Sequence, residues 1–218
     1  MQTGIETELI EFEGWTLRVR AVQNPTRLLL LIHGYTGDEN SMWVFARDMP
    51  PQHAMIAPRA MHPSGSTGYS WRPVEGFDFG VPRLDQLRSP AEALIRLVDA
   101  YQASVGIEAD QFDVMGFSQG GVMSNVLAFL YPQRVRKAGI LAGFIPSGLE
   151  ELVSQRPLEG KPYFVAHGTK DGTVTIERAR ESIALLERAG AQVTYCEDDV
   201  GHKVSVNCLQ ALKRFFED

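Results

Sequence analysis

"FDVMGFSQGGVMSNVLAF", residues 112–129, begins as an apolar strand pattern and ends as a helix pattern, and Ser118 stands between Gly116 and Gly120 where the two meet. A strand that reverses directly into a helix forces the corner residue into a strained backbone conformation. The residues two before and two after it must then be small, or strand and helix collide. Gly116 and Gly120 meet that demand and Gly121 adds room, so the turn lifts the Ser118 hydroxyl clear of the carboxyl edge of a sheet. At average glycine and serine usage a G-x-S-x-G match arises by chance in roughly 7% of chains this long. The flanking strand and helix therefore carry the reading.

Outward from this corner the chain alternates. "RLLLLIHG" (27–34) is apolar at successive positions, as a central strand covered on both faces would be. Before it, the first 22 residues alternate apolar and polar in two runs, "IETELIEFEG" and "WTLRVRAV", which predicts a hairpin with one wet face. After it come a helix near 39–49, the strand "HAMIAP" (53–58), and a helix near 89–104 with Ser89 as cap and Pro90 in its first turn. The helix after Ser118 runs to about 131. The strand "KAGILAG" (137–143), a short helix near 148–155, the strand "KPYFVAHG" (161–168), a helix near 175–189, the strand "QVTYCED" (192–198) and a helix near 203–217 complete the pattern. Strands alternating with helices predict an α/β fold, a mostly parallel central sheet with helices on both faces, as one domain over 1–218.

Composition narrows the function classes. The 218 residues are 44% hydrophobic and 22% charged, which is ordinary for a globular chain. A formal net charge of −6 without a Lys/Arg stripe argues against nucleic acid as a partner. The N-terminus "MQTGIETELIEFEG" lacks a basic start and an apolar stretch, and no run approaches the length of a membrane span, so a soluble cytoplasmic protein without membrane insertion is expected. Cys196 and Cys208 are the only cysteines, one in a strand and one in a helix, and are expected to be buried reduced thiols.

A raised serine is a weak nucleophile until a base takes its proton. In this topology acid and base come from loops after later strands, in the order Ser, Asp, His. Asp171, in "AHGTKDGTV" (166–174), follows a buried strand and lies on a separate loop from the base it must orient, whereas Asp198 and Asp199 read as solvated loop charges. His202 follows the final strand, where a loop can reach over the sheet edge toward Ser118. His33 and His167 each precede a glycine at a strand end and read as structural turn residues. His53 starts a strand on the wrong edge, and His62 stays as a rival base. Charge developing on a carbonyl oxygen needs prearranged donors. The backbone N–H of Gln119, at a helix start, and that of Tyr35, in the loop after the first central strand, are placed to supply them.

One stretch lacks periodicity: "RAMHPSGSTGYSWRPVEGFDFGVPRLDQL" (59–87) combines glycine and proline with Tyr69, Trp71, Phe77 and Phe79, a composition suited to a packed functional wall.

With "LIHGYTGDE" (31–39), "GFSQGG" (116–121), "AHGTKDGTV" and "GHKVS" (201–205) in this order over nearly the whole chain, the sequence resembles the phospholipase/carboxylesterase family of α/β-hydrolases, which includes bacterial carboxylesterases and acyl-protein thioesterases. The resemblance implies the α/β-hydrolase fold, a Ser118, Asp171, His202 triad, an oxyanion hole at Tyr35 and Gln119, and Trp71 near the acyl site. The short segment between Gly143 and Lys161 leaves no room for a large lid domain, which suits small soluble esters. A serine carboxylesterase without metal or organic cofactor, acting on a small-molecule ester, is the expectation. A thioesterase or lysophospholipase with the same triad, and a non-catalytic ligand-binding module of this fold, are the alternatives. The oligomeric state stays open, a homodimer included.

Overall fold

Every residue from Leu28 to Ile32 is fully buried, which puts this strand in the middle of a sheet covered on both faces. The computed structural model describes residues 6–74 and 81–217. The chain opens with the hairpin β1 (Glu8–Phe12) and β2 (Trp15–Arg20), then β3 (Arg27–Ile32), the single turn α1 (Trp43–Ala46) and β4 (His53–Pro58). A small hairpin, β5 (His62–Ser64) and β6 (Gly68–Ser70), leads to α2 (Leu84–Val105), and β7 (Phe112–Phe117) and α3 (Gln119–Leu130) follow. The rest is β8 (Val135–Leu141), the single turn α4 (Glu150–Val153), β9 (Pro162–Gly168), α5 (Ile176–Arg188), β10 (Gln192–Asp198) and α6 (Val206–Glu217).

Eight strands form one sheet in the order β1-β2-β4-β3-β7-β8-β9-β10. The pairs β1–β2 and β2–β4 are antiparallel, and every pair from β4 to β10 is parallel. Along β3 the side chains divide between two layers. Leu28, Leu30 and Ile32 belong to the buried layer that also holds Leu94, Val122 and Leu186 from α2, α3 and α5, while Leu29 and Leu31 belong to the layer that holds Ala46, Leu212 and Phe216 from α1 and α6. Burying a leucine or isoleucine contributes about 1.5–3 kcal/mol, so five such residues in succession commit this segment to the centre. From β3 the chain moves outward to β4 and then returns to β7 on β3's other side. That reversal opens a crevice at the carboxyl ends of β3 and β7, where sheets of this kind place their sites. No lid covers it from the segment between Leu141 and Pro162, whose only helix is α4. No described helix is long and apolar enough to cross a membrane.

The structure departs from the sequence reading in four places. First, α2 begins at Leu84, so Ser89 is not its cap and Pro90 lies inside it. Arg83 caps the helix instead, its backbone N–H donating 3.0 Å to the Gln86 side chain, and Arg is not a residue that signals a cap. Leu87, Ala91 and Leu94 extend the buried stripe across Pro90. Second, the helix expected near 39–49 shrinks to four residues, because side chains just before it compete for the backbone. Asp38 N–H donates 2.9 Å to Ser41 Oγ, and Asn40 N–H donates 2.9 Å to Asp38 Oδ1. Third, residues 59–87 are not aperiodic throughout, since they hold the β5–β6 hairpin; Phe77 and Phe79 lie outside the described residues.

Fourth, Cys196 in β10 and Cys208 in the first turn of α6 form a disulfide, with Cα atoms 5.7 Å apart, where reduced thiols were expected. Packing of α6 back against the sheet brings the two together across 12 residues of chain, an approach that spacing alone does not reveal. Closing a loop of this length stabilises the folded state by about 3 kcal/mol in the chain-entropy account. Reduction, or Cys208→Ser, is therefore expected to lower the unfolding free energy by about that amount. Guanidinium denaturation with and without dithiothreitol measures it, and coincident curves would show that the crosslink contributes nothing.

Candidate active site

Ser118 sits at the strand-to-helix corner with φ 53° and ψ −117°, a conformation that side-chain-bearing residues adopt at a cost of about 1–3 kcal/mol. Two backbone bonds hold it there: its N–H donates 2.8 Å to Leu141 O, and its carbonyl accepts from Val122 N–H at 3.0 Å. The flanking glycines are obligatory for the same turn. A Cβ on Gly116 would stand 2.1 Å from the Gly120 oxygen, and one on Gly120 would stand 1.9 Å from the Ile32 oxygen. Strand, corner and helix touch backbone to backbone, which is the close approach that "GFSQGG" suggested.

Around Ser118 the structure gathers Asp171 from the loop after β9 and His202 from the loop after β10. These strands are parallel neighbours, with Gly168 opposite Asp198, so their loops leave the sheet side by side. The loops are stitched together by Thr169 N–H to Asp198 O at 2.9 Å and Lys170 N–H to Val200 O at 3.0 Å. A Cβ on Gly168 would lie 2.2 Å from Val200 O, so only glycine at the end of β9 lets the histidine loop descend this far.

His202 bridges the other two: Nε2 lies 2.9 Å from Ser118 Oγ and Nδ1 lies 2.7 Å from Asp171 Oδ2. Its ring also rests against Phe117, with centroids 5.0 Å apart, and Phe117 is backed in turn by Phe45. The Asp171 side chain is fully buried. Its Oδ1 accepts from Thr173 N–H at 2.8 Å and Val174 N–H at 2.9 Å, which leaves Oδ2 for the histidine. With the carboxylate ionised, Nδ1–H donates to Oδ2 and Nε2 is left to accept the serine proton.

Of the other histidines, His33 and His167 are hydrogen-bonded to backbone groups. His33 Nδ1–H donates 2.7 Å to Gly34 O while Nε2 accepts from Ala60 N–H at 3.0 Å, an arrangement only the neutral ring can make, and burial lowers its pKa accordingly. His167 Nε2–H donates 2.8 Å to Val174 O. His53 is buried at the start of β4, the opposite end of that strand from the site, with its pKa depressed by burial to about 4. His62 lies in β5; His202 is the ring that reaches Ser118.

Trp71 is fully buried and does not line the cavity beside Ser118. Its indole N–H donates 2.9 Å to His33 O, and its backbone N–H donates 3.0 Å to Gln119 Oε1. The Gln119 amide nitrogen donates 2.9 Å to Ser70 Oγ. The β5–β6 hairpin is thereby tied to the start of α3. It is tied as well to the loop after β3, by Thr36 N–H to Tyr69 O at 3.0 Å and Tyr69 N–H to Gly37 O at 2.9 Å. A bidentate ion pair from Arg59 to buried Glu39, at 2.8 and 2.9 Å, closes the same junction. Sequence reading singled out Gln119 for its backbone alone, and its side chain proves to be the clasp between two loops.

The cavity itself has a volume of about 230 Å³ and is lined by Tyr35, Ser118, Gln119, Val122, Phe144 and Val174 among others. Arg72 and Arg178 complete its wall with positive charge. Neither was singled out from the sequence, because nothing in spacing tells which face of α5 or which residue of an irregular loop meets the cavity. Among the described residues no cluster of histidine, cysteine and carboxylates could hold a metal ion.

A sequence model of the phospholipase/carboxylesterase family matches residues 18–218. The chain is 26% identical to acyl-protein thioesterase 1 of Debaryomyces hansenii, over 93% of this chain and 95% of that protein. It is also 26% identical to the carboxylesterase SOBER1 of Arabidopsis thaliana, over 71% of this chain and 69% of that one. Among solved structures, the carboxylesterase from Mesorhizobium loti superposes with a TM-score of 0.81 at 20% identity, covering 97% of this chain and 98% of the other.

Proposed function

The chain belongs to the phospholipase/carboxylesterase family of hydrolases, and on that premise we propose that it is a serine carboxylesterase that cleaves small carboxylic esters through an acyl-enzyme on Ser118. The observation that carries this reading is the position of His202, 2.9 Å from Ser118 Oγ on one side and 2.7 Å from Asp171 Oδ2 on the other.

The cycle follows from those contacts. Nε2 takes the Ser118 proton as Oγ bonds to the ester carbonyl carbon, and the carbonyl electrons move onto oxygen. The backbone N–H groups of Tyr35 and Gln119 receive that oxyanion, the latter at the positive end of α3, each donor being worth about 3 kcal/mol. Collapse expels the alkoxide, which takes the proton from Nε2. Water then gives a proton to Nε2, attacks the acyl carbon and repeats the sequence, releasing the carboxylic acid and restoring the serine. Asp171 holds the ring in the tautomer that accepts at Nε2 and stabilises the imidazolium. No step calls for a metal or organic cofactor. The cavity of about 230 Å³ is smaller than the about 300–1,000 Å³ of ordinary ligand clefts, which favours short to medium acyl chains over lipid tails.

A second reading, thioester hydrolysis, is favoured by the thioesterase relative that spans nearly the whole chain, and the same groups would perform it. The test treats the folded protein with a fluorophosphonate and then compares p-nitrophenyl esters of increasing acyl length with an acyl thioester. One adduct per chain, located at Ser118, with ester turnover that peaks at short chains, is expected. Faster cleavage of the thioester would move the assignment to thioesterase. An unlabelled protein inert toward every ester would remove the enzyme reading and leave a ligand-binding module.

A further inference from the structure

In a chain of formal net charge −6, the charged side chains among the described residues lining the active-site cavity are two arginines, Arg72 and Arg178, and no described carboxylate lines it. An apolar ester would gain nothing from Arg178, and a partly buried guanidinium costs desolvation that a purely apolar wall avoids.

Arg178 is held as a receptor would hold it. Its guanidinium lies over the Phe144 ring, 3.7 Å from the centroid. Stacking of this kind occupies a face of the planar ion and leaves its N–H edge available for in-plane bonds. The support beneath is rigid. Ser182 Oγ donates 2.9 Å to Arg178 O and accepts 3.0 Å from Ile145 N–H, while Asn125 Nδ2 donates 3.0 Å to Phe144 O. Thus the first turn of α5 and the segment after β8 are locked to each other, and the cation is placed before any ligand arrives. Arg180, two residues on, turns outward and pairs with Glu197 at 3.0 Å. The Arg178 guanidinium has no such partner among the described residues; Glu181, on the next turn of α5, acts on it only through space.

We infer that Arg178 receives a carboxylate of the substrate, so that this site prefers esters carrying a free carboxylate to neutral esters of the same length. The inference rests on the esterase reading above and names its substrate class: a monoester of a dicarboxylic acid, or an ester whose alcohol half carries the acid. Arginine suits this role because its fork of N–H donors matches a carboxylate in two parallel bonds.

The experiment compares kcat/KM for mono-p-nitrophenyl glutarate with p-nitrophenyl pentanoate, and for 4-carboxyphenyl pentanoate with 4-carbamoylphenyl pentanoate, after subtraction of uncatalysed hydrolysis. The first pair places the carboxylate on the acyl half and the second on the alcohol half. At least one anionic ester is expected to exceed its neutral partner by roughly tenfold or more, as for a charge-assisted pair. In Arg178→Met that ratio is expected to fall toward one, and Arg178→Lys is expected to restore part of it. Equal or better cleavage of both neutral esters by the wild type overturns the inference while leaving the esterase reading intact, and so does a preference that survives in Arg178→Met. Failure to cleave any of the four overturns both.

Discussion

Ser118→Ala is expected to lower kcat for ester hydrolysis by about 10⁶-fold, the size of loss seen when the nucleophile of such a unit is removed, with little change in stability. The substitution deletes one oxygen, and that oxygen makes the 2.9 Å contact to His202 Nε2. Alanine keeps the Cβ, so the positive-φ corner costs the same in both proteins, and the backbone bonds from Ser118 N–H to Leu141 O and from Val122 N–H to Ser118 O persist. Loss of activity without loss of fold then separates chemistry from structure. Steady-state hydrolysis of p-nitrophenyl butanoate together with a thermal denaturation midpoint measures both. An alanine variant that kept a tenth of wild-type turnover would sink the acyl-enzyme mechanism. The residue left should be small but above water, since the oxyanion donors and the cavity remain.

How much of this was legible beforehand depends on what kind of signal each feature leaves. The unbroken apolar run of β3 and the G-x-S-x-G corner are local: burial on both faces and backbone collision act within a few residues, so the string records them. The same holds for the order of Asp171 and His202, because each follows a strand whose apolar pattern is plain. The Cys196–Cys208 bond left no such trace. It depends on how α6 folds back beneath the sheet, a long-range result of packing around Leu212 and Phe216. The early start of α2 was hidden because Arg83 and Gln86 make the cap through a backbone N–H, while Ser89 and Pro90 offered a stronger but unused signal. Trp71 stands out in the string as part of an aromatic loop, yet it is fully buried outside the cavity lining, with its indole N–H bonded to His33 O. Arg178 shows the limit most sharply: the meeting of α5 with Phe144 places it on the cavity wall, and residue spacing carries no trace of that meeting.

Asp171→Asn tests the tautomer argument, and kcat is expected to fall by about 10⁴-fold, as when the orienting carboxylate of such a triad is amidated. The direction follows from the hydrogen bonds. Thr173 N–H and Val174 N–H both donate to Asp171 Oδ1, so an asparagine must keep its oxygen there and turn its NH₂ toward His202. The amide can only donate at that position. Nδ1 of His202 must then accept, which moves the ring proton to Nε2, so Nε2 meets Ser118 as a donor and cannot take its proton. Shape, volume and both backbone bonds are conserved, so KM for a short ester should change far less than kcat, and fluorophosphonate labelling of Ser118 should slow in parallel with turnover. A loss of less than about tenfold would mean that His202 finds its tautomer without Asp171, and that the 2.7 Å contact between them is structural support for the loop after β10.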